Sequence, residues 1–162
     1  DLHSFPTRRS SDLAICDKGY FIYAEDTEYG GVVDAITVDT DADEITYSGR
    51  TWHGILQGMV LCPDPGCDYL TLDGDANAVL QEIIDRLGLT NLFMAPDWIS
   101  GITIADYQVE RYAYAYDAIR TMLGVFHAKL QIVWHNSRIV LSALPVYDYS
   151  QAEEFDESQM DF

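Results

Sequence analysis

Positive charge is scarce in this chain. Nine Lys and Arg stand against 27 Asp and Glu, a formal net charge of −18. Each phosphate contact needs a cation, so the balance argues against duplex DNA and against an anionic membrane surface as partners. Cysteine is rarer still. Cys16, Cys62 and Cys67 form an odd set that closes no disulfide framework, which is compatible with assembly in a reducing compartment. No apolar run approaches the roughly 20 residues of a membrane span. Solenoid-period repeats are missing. So are G-x-S-x-G, H-E-x-x-H and a phosphate-cradling glycine loop, and no catalytic residue or cofactor is assigned. What is present in quantity is apolar surface. At 48% hydrophobic residues the composition is that of a folded protein rather than a disordered acidic chain.

The first thirteen residues stand apart. DLHSFPTRRSSDL, Asp1 to Leu13, matches the translation of a sequencing-library adapter in one reading frame. The segment is expected to be an assembly artefact without function, and it is excluded from the fold as a scar. A disordered polar tail is the plainer alternative. Of the nine basic side chains, Arg8 and Arg9 lie here; of the acidic ones, Asp1 and Asp12, so the remainder is still −18.

The run Gly30 to Leu56 carries the clearest local signal. Val32, Val33, Ile36, Val38 and Ile45 favour a pleated, half-buried surface. Asp39-Thr40-Asp41-Ala42-Asp43 interrupts them with turn formers. This predicts a strand over Gly31–Val38, an acidic turn and a strand over Glu44–Ser48, after a short strand at Tyr20–Ala24. Gly49 is expected to let the chain change direction sharply. With few residues before it, the sheet is expected to lack its first strands.

Beyond Leu61 the pattern changes. Pro63, Pro65 and Gly66 mark a loop. Val79, Leu80, Ile83, Ile84 and Leu87 recur at helical spacing, with Asp75 or Asp73 as N-cap, Arg86 in the last turn and Gly88 at C′. Leu92–Ser100 reads as a loop over the core, and Gly101–Tyr107 and Gln108–Arg111 as short extended pieces. A second helix is predicted over Asp117–Phe126. A late hairpin follows, turning at His135-Asn136-Ser137 and ended by Pro145. The fold class is α+β: mostly antiparallel sheet with two amphipathic helices packed on a small sheet. The expected division is a partial β-barrel over 14–61, an α+β region over 62–147, and an acidic tail over 148–162. That tail stops without a terminal signal, so a missing C-terminal part is expected.

Several constellations invite chemical readings. Asp39, Asp41 and Asp43 have the spacing of a calcium loop's first ligands, but Glu44 and Arg50 stand where such a loop needs Gly and Glu. A solvated turn is the better reading. His53, Cys62 and Cys67 make three zinc ligands without a fourth. Asp73 and Asp75 pair like glycosidase carboxylates, yet helix capping explains them better. No metal site is assigned. His127 suits a helix C-terminus, and Trp134 alternates with core residues. Tyr112, Tyr114 and Tyr116, with Trp98, fit a sugar-stacking platform, a protein interface or the core. In Arg50-Thr51-Trp52, Arg50 is expected to pair with a neighbouring carboxylate and Trp52 to pack at the sheet end. The candidate interface residues are therefore Arg50, Trp52, Tyr112, Tyr114 and Tyr116.

A series of short pieces in fixed order carries a family likeness. It runs from Gly49-Arg50-Thr51-Trp52-His53-Gly54 through Gly74-Asp75-Ala76-Asn77 and Arg86-Leu87-Gly88-Leu89. It continues with Arg111-Tyr112, Tyr116-Asp117, Ala128-Lys129-Leu130 and Val140-Leu141-Ser142, and ends with Val146-Tyr147-Asp148-Tyr149-Ser150 and Glu154-Phe155-Asp156. In this order the chain resembles the siphophage tail-hub family of phage tail proteins. The resemblance implies a virion structural protein at the tail tip, assembled in the bacterial cytoplasm. It implies a homotrimer with β-barrel domains near the tail axis and α+β insertions outside. The implied partners are the distal tail ring, the tape measure and host-recognition proteins. The alternatives are a carbohydrate-binding β-module and a tail-associated cell-wall hydrolase.

Overall fold

The computed structural model describes residues 17–146. The expectations for the adapter-like segment and for the acidic tail fall outside these residues. In chain order the elements are β1 (Phe21–Tyr23), β2 (Gly30–Asp39), β3 (Glu44–Thr51), α1 (Trp52–Gln57), β4 (Val60–Leu61), β5 (Tyr69–Asp75), α2 (Ala76–Arg86), β6 (Phe93–Met94), β7 (Thr103–Glu110), β8 (Ala113–Tyr114), α3 (Ala115–Val125), β9 (Ala128–His135) and β10 (Arg138–Pro145). The protein is α+β, as its sequence predicts. Every strand pair is antiparallel except β6 with β10.

The first sheet has the order β1-β2-β3. Val38 opposes Ile45 and Ile36 opposes Tyr47, so apolar cross-strand pairs set the register. In the turn, Asp39 Oδ1 accepts the backbone N–H groups of Asp41 and Ala42 at 3.0 and 3.1 Å, and Asp43 takes a left-handed φ of 52°. The expected partial barrel is corrected to an open sheet: no closed barrel forms among the described residues.

Gly49 does not turn the chain. It stays in β3 opposite a bulge at Asp34, where a Cβ would lie 1.8 Å from the Val32 carbonyl oxygen. The strands approach too closely there for any side chain. The direction changes at Thr51, whose Oγ1 accepts from the Gly54 N–H and caps α1. That helix makes three among the described residues, in place of the expected two. Its buried residues, Trp52 and Leu56, are one turn apart.

In β5, Leu70 and Leu72 point inward while Tyr69, Thr71 and Asp73 face solvent. Asp75 caps α2 through Oδ1 on the Asn77 N–H. Gly88, at φ 68°, ends it: its N–H donates to Asp85 and the Leu89 N–H to Ile84, the paired bonds of a Schellman motif. The apolar faces of α2 and α3 pack against β10 and β9. Asn136 and Ser137 both have positive φ, the two-residue turn that matches strand twist. The segment Leu92–Ser100, expected as a loop, also lends Phe93 and Met94 to the sheet as β6, with Phe93 buried. Trp52, Leu56 and Leu61 belong to the same buried cluster as Leu80, Ile119 and Leu141.

Candidate protein interface

Two paired residues start the surface. Val60 of β4 opposes Tyr114 of β8, and both are exposed. Tyr112 sits in the connection before β8, 68% exposed, with φ at 66°. A bulky residue rarely adopts that left-handed backbone, because its Cβ crowds the following carbonyl. Arg111 fixes the connection: its guanidinium donates to the Cys67 carbonyl at 2.8 Å and reaches Asp68 at 3.5 Å. The same bond brings exposed Tyr69, next in the chain, to this end of the molecule. Tyr112 and Tyr114 are thus both exposed and two residues apart in the chain, with Val60 across the ladder from Tyr114.

Tyr116 does not join them. It is half-buried in α3, edge-on to the His53 ring at 5.4 Å. Burial pushes the His53 imidazole below its ordinary value of 6.5, with Glu28 pulling the other way. His53 thus packs on Tyr116 rather than gathering with Cys62 and Cys67, which are exposed free thiols.

Arg50 meets a carboxylate, as its sequence context suggests. Nε and one terminal nitrogen contact the two oxygens of Asp34 at 2.9 Å each, and the Arg50 N–H donates to Asp34 at 3.0 Å. The hydrogen-bonded guanidinium holds the Asp34 carboxyl below its ordinary value of 3.8. The β-bulge is what frees Asp34 from the ladder for this fork.

Trp52 lies wholly inside the chain. Its ring stacks on Trp134 at 5.6 Å and 20°, Phe21 meets its edge, and Tyr23 stacks on the other indole at 4.2 Å. Gly30 lies so close that a Cβ would come within 2.4 Å of the Trp52 ring. Neither buried indole N–H has a hydrogen-bond partner among the described residues. Trp52 supports the structure from within and offers no face to a partner.

Asp75 is likewise occupied. Burial pushes its pKa up, but hydrogen bonds from Ser100, Asn77 and Gly101 outweigh this and bring it below the ordinary aspartate value. One cluster had no local signal in the sequence: Glu25, Asp26 and His135, all exposed. His135 Nδ1 bonds Asp26, the Asn136 amide meets His135 Nε2 at 2.7 Å, and Glu25 accepts the Asn136 N–H at 3.0 Å. Asp26 N–H also donates to the Trp134 carbonyl, and Trp134 N–H to Thr27. With both ring nitrogens engaged by the protein, the cluster works as a latch between the β1–β2 connection and β9. Its members are 109 residues apart in the chain, too far for any motif to show.

A scan against protein-family models found no match, and searches of curated proteins and of solved structures each found none.

Proposed function

We propose that this chain is a structural subunit of a tailed-phage tail tip, a hub component of a virion or prophage tail. Its work is to hold neighbouring proteins, with no catalytic step and no cofactor. One observation carries the reading at the level of the site: Tyr112 is held in a strained backbone so that its ring, with Tyr114 and Val60, stands in solvent. Strain that persists at an exposed aromatic residue points to use of that residue. Tyrosine is enriched at the centres of interfaces, where an apolar ring and a polar tip serve together. The ordered family-like pieces supply the rest, including the homotrimer and the distal tail, tape-measure and host-recognition partners.

Co-expression with the distal tail and tape-measure proteins tests this. The expected result is a stable complex whose affinity falls about tenfold or more in Tyr112→Ala or Tyr114→Ser, the size of a hot-spot loss. A folded chain that remains monomeric and captures neither protein would sink it. The same exposed tyrosines favour a second reading, a carbohydrate-binding β-module. Glycan-array binding that disappears in Tyr114→Ala would establish that reading in place of the first. Clearing of cell-wall suspensions would instead show a hydrolase.

A further inference from the structure

Before the tyrosines in the chain, α2 and the loop after β6 enclose a groove of about 450 Å³. Among the described residues, Asp75, Glu82, Asp85 and Asp97 line it, and no Lys, Arg or His does. Trp98 and Ile99 stand on its rim, 51% and 82% exposed. Large apolar side chains normally fold back when a loop is free to do so. This loop is not free. Gln81 Oε1 accepts the Ala95 N–H at 2.8 Å. Buried Asn77 donates to the Trp98 carbonyl at 3.0 Å while its own oxygen accepts from Ala143. Asp75 accepts both the N–H and the hydroxyl of Ser100. Three side chains of α2 and its N-cap thus clamp the loop backbone at both ends and in the middle, leaving Trp98 and Ile99 outside.

We infer that this groove is a preformed docking site for a cationic segment of a partner protein, one that carries an apolar residue among lysines or arginines. Charge selects the occupant. Glu82 is paired with Arg86, but Asp97 and Asp85 meet no cation among the described residues. A cation brought there gains both carboxylates and the face of the Trp98 ring. A second copy of this chain is a poor occupant. Its net charge is −18, and outside Arg8-Arg9 no two basic residues adjoin in its sequence. The clamped loop lowers the ordering cost of binding. The inference does not depend on the proposed tyrosine interface, since Val60, Tyr112 and Tyr114 take no part in the groove.

The test uses the full chain and a synthetic peptide of lysines and arginines around one central leucine, with a glutamate-for-lysine peptide as control. Trp98 is the exposed tryptophan, whereas Trp52 and Trp134 are buried. Emission should therefore shift on adding the cationic peptide, and Trp98→Phe should abolish the shift. Affinity should fall about tenfold in Trp98→Ala and Ile99→Ser, and about two- to fivefold in Asp97→Asn, as screened charge pairs do. It should weaken with salt. These side chains hold no loop hydrogen bond, so the variants keep their fold, and circular dichroism checks it. Asp41→Asn, on the distant hairpin turn, should leave binding unchanged. Equal losses in Asp41→Asn and Asp97→Asn would reduce the effect to overall charge and overturn the site. Indifference to Trp98→Ala would do the same, as would glycan binding or self-association at this groove without peptide binding.

Discussion

At the scale of single residues, the informative positions are those where one atom more or one proton more decides the outcome. A Cβ at Gly49 would collide with a backbone carbonyl across the hairpin, and neither strand can yield without breaking the ladder. Gly49→Ala is expected to cost about 1–3 kcal/mol, as overpacked sites do. Gly124 is the contrast: it is exposed in α3 with open space around it. Gly124→Ala should stabilise by about 0.5 kcal/mol through helix propensity and unfolded-state entropy. Urea midpoints of the two variants should move in opposite directions. His53 gives a pH signature. Its folded pKa is depressed, so folding favours the neutral ring. That contribution is fully present above the ordinary value of 6.5 and is lost as pH falls through the lower folded value. In His53→Phe, which keeps an aromatic ring against Tyr116, stability should decline less than wild type on acidification below about pH 6.5. Parallel pH profiles for the two proteins would show that the ring's protonation is not linked to folding.

Elements differ in how openly the sequence announces them, and α2 and β5 mark the two extremes. The helix was legible because five apolar residues at helical spacing, an acidic cap and a terminal glycine agree with one another. The strand before it was not, since Asp73-Gly74-Asp75 carries turn residues inside a paired segment. Gly74, at φ 124°, takes up the register shift that those residues permit. Likewise α1 is too short for a periodic signal, and its Trp52 and Leu56 read equally well as the end of a strand. Which of two aspartates caps α2 was open in the sequence and is decided by geometry. Asp75→Ala should cost about 1–2 kcal/mol through the lost cap, and loosen the Ser100 end of the groove loop. Asp73→Ala, at an exposed position, should stay within about 0.5 kcal/mol of wild type. Equal costs would mean that the cap contributes no more than an exposed carboxylate with no backbone partner. The candidate surface was partly legible by the same logic. Tyr112 and Tyr114 could be picked out as alternating aromatics, but only the β4–β8 pairing and the left-handed backbone separate them from half-buried Tyr116.

Over the whole molecule, burial is unevenly distributed. α2, α3, β9 and β10 wrap one apolar cluster, with α1 closing it through Trp52 and Leu56. The β2–β3 hairpin has one buried residue, Val33 at its base, and Val33 lies outside that cluster. Beyond the bulge, Ala35 to Glu44 is largely exposed. Two ties hold its base: the Arg50–Asp34 fork and the latch of Glu25, Asp26 and Asn136 around His135. Regions with few buried apolar contacts open with less free energy than the core. Native-state hydrogen exchange should therefore find two classes of amide. Those of Leu80 to Ile84, Ile132 and Leu141 should exchange only with global unfolding. Those of Thr37 to Thr46 should exchange through local opening, insensitive to low urea. Asp26→Asn, which weakens the latch, should speed exchange at Tyr23 and Trp134 while leaving Leu80 unchanged. Hairpin amides that exchange together with Leu141 would show instead that the protruding strands and the core unfold as one unit.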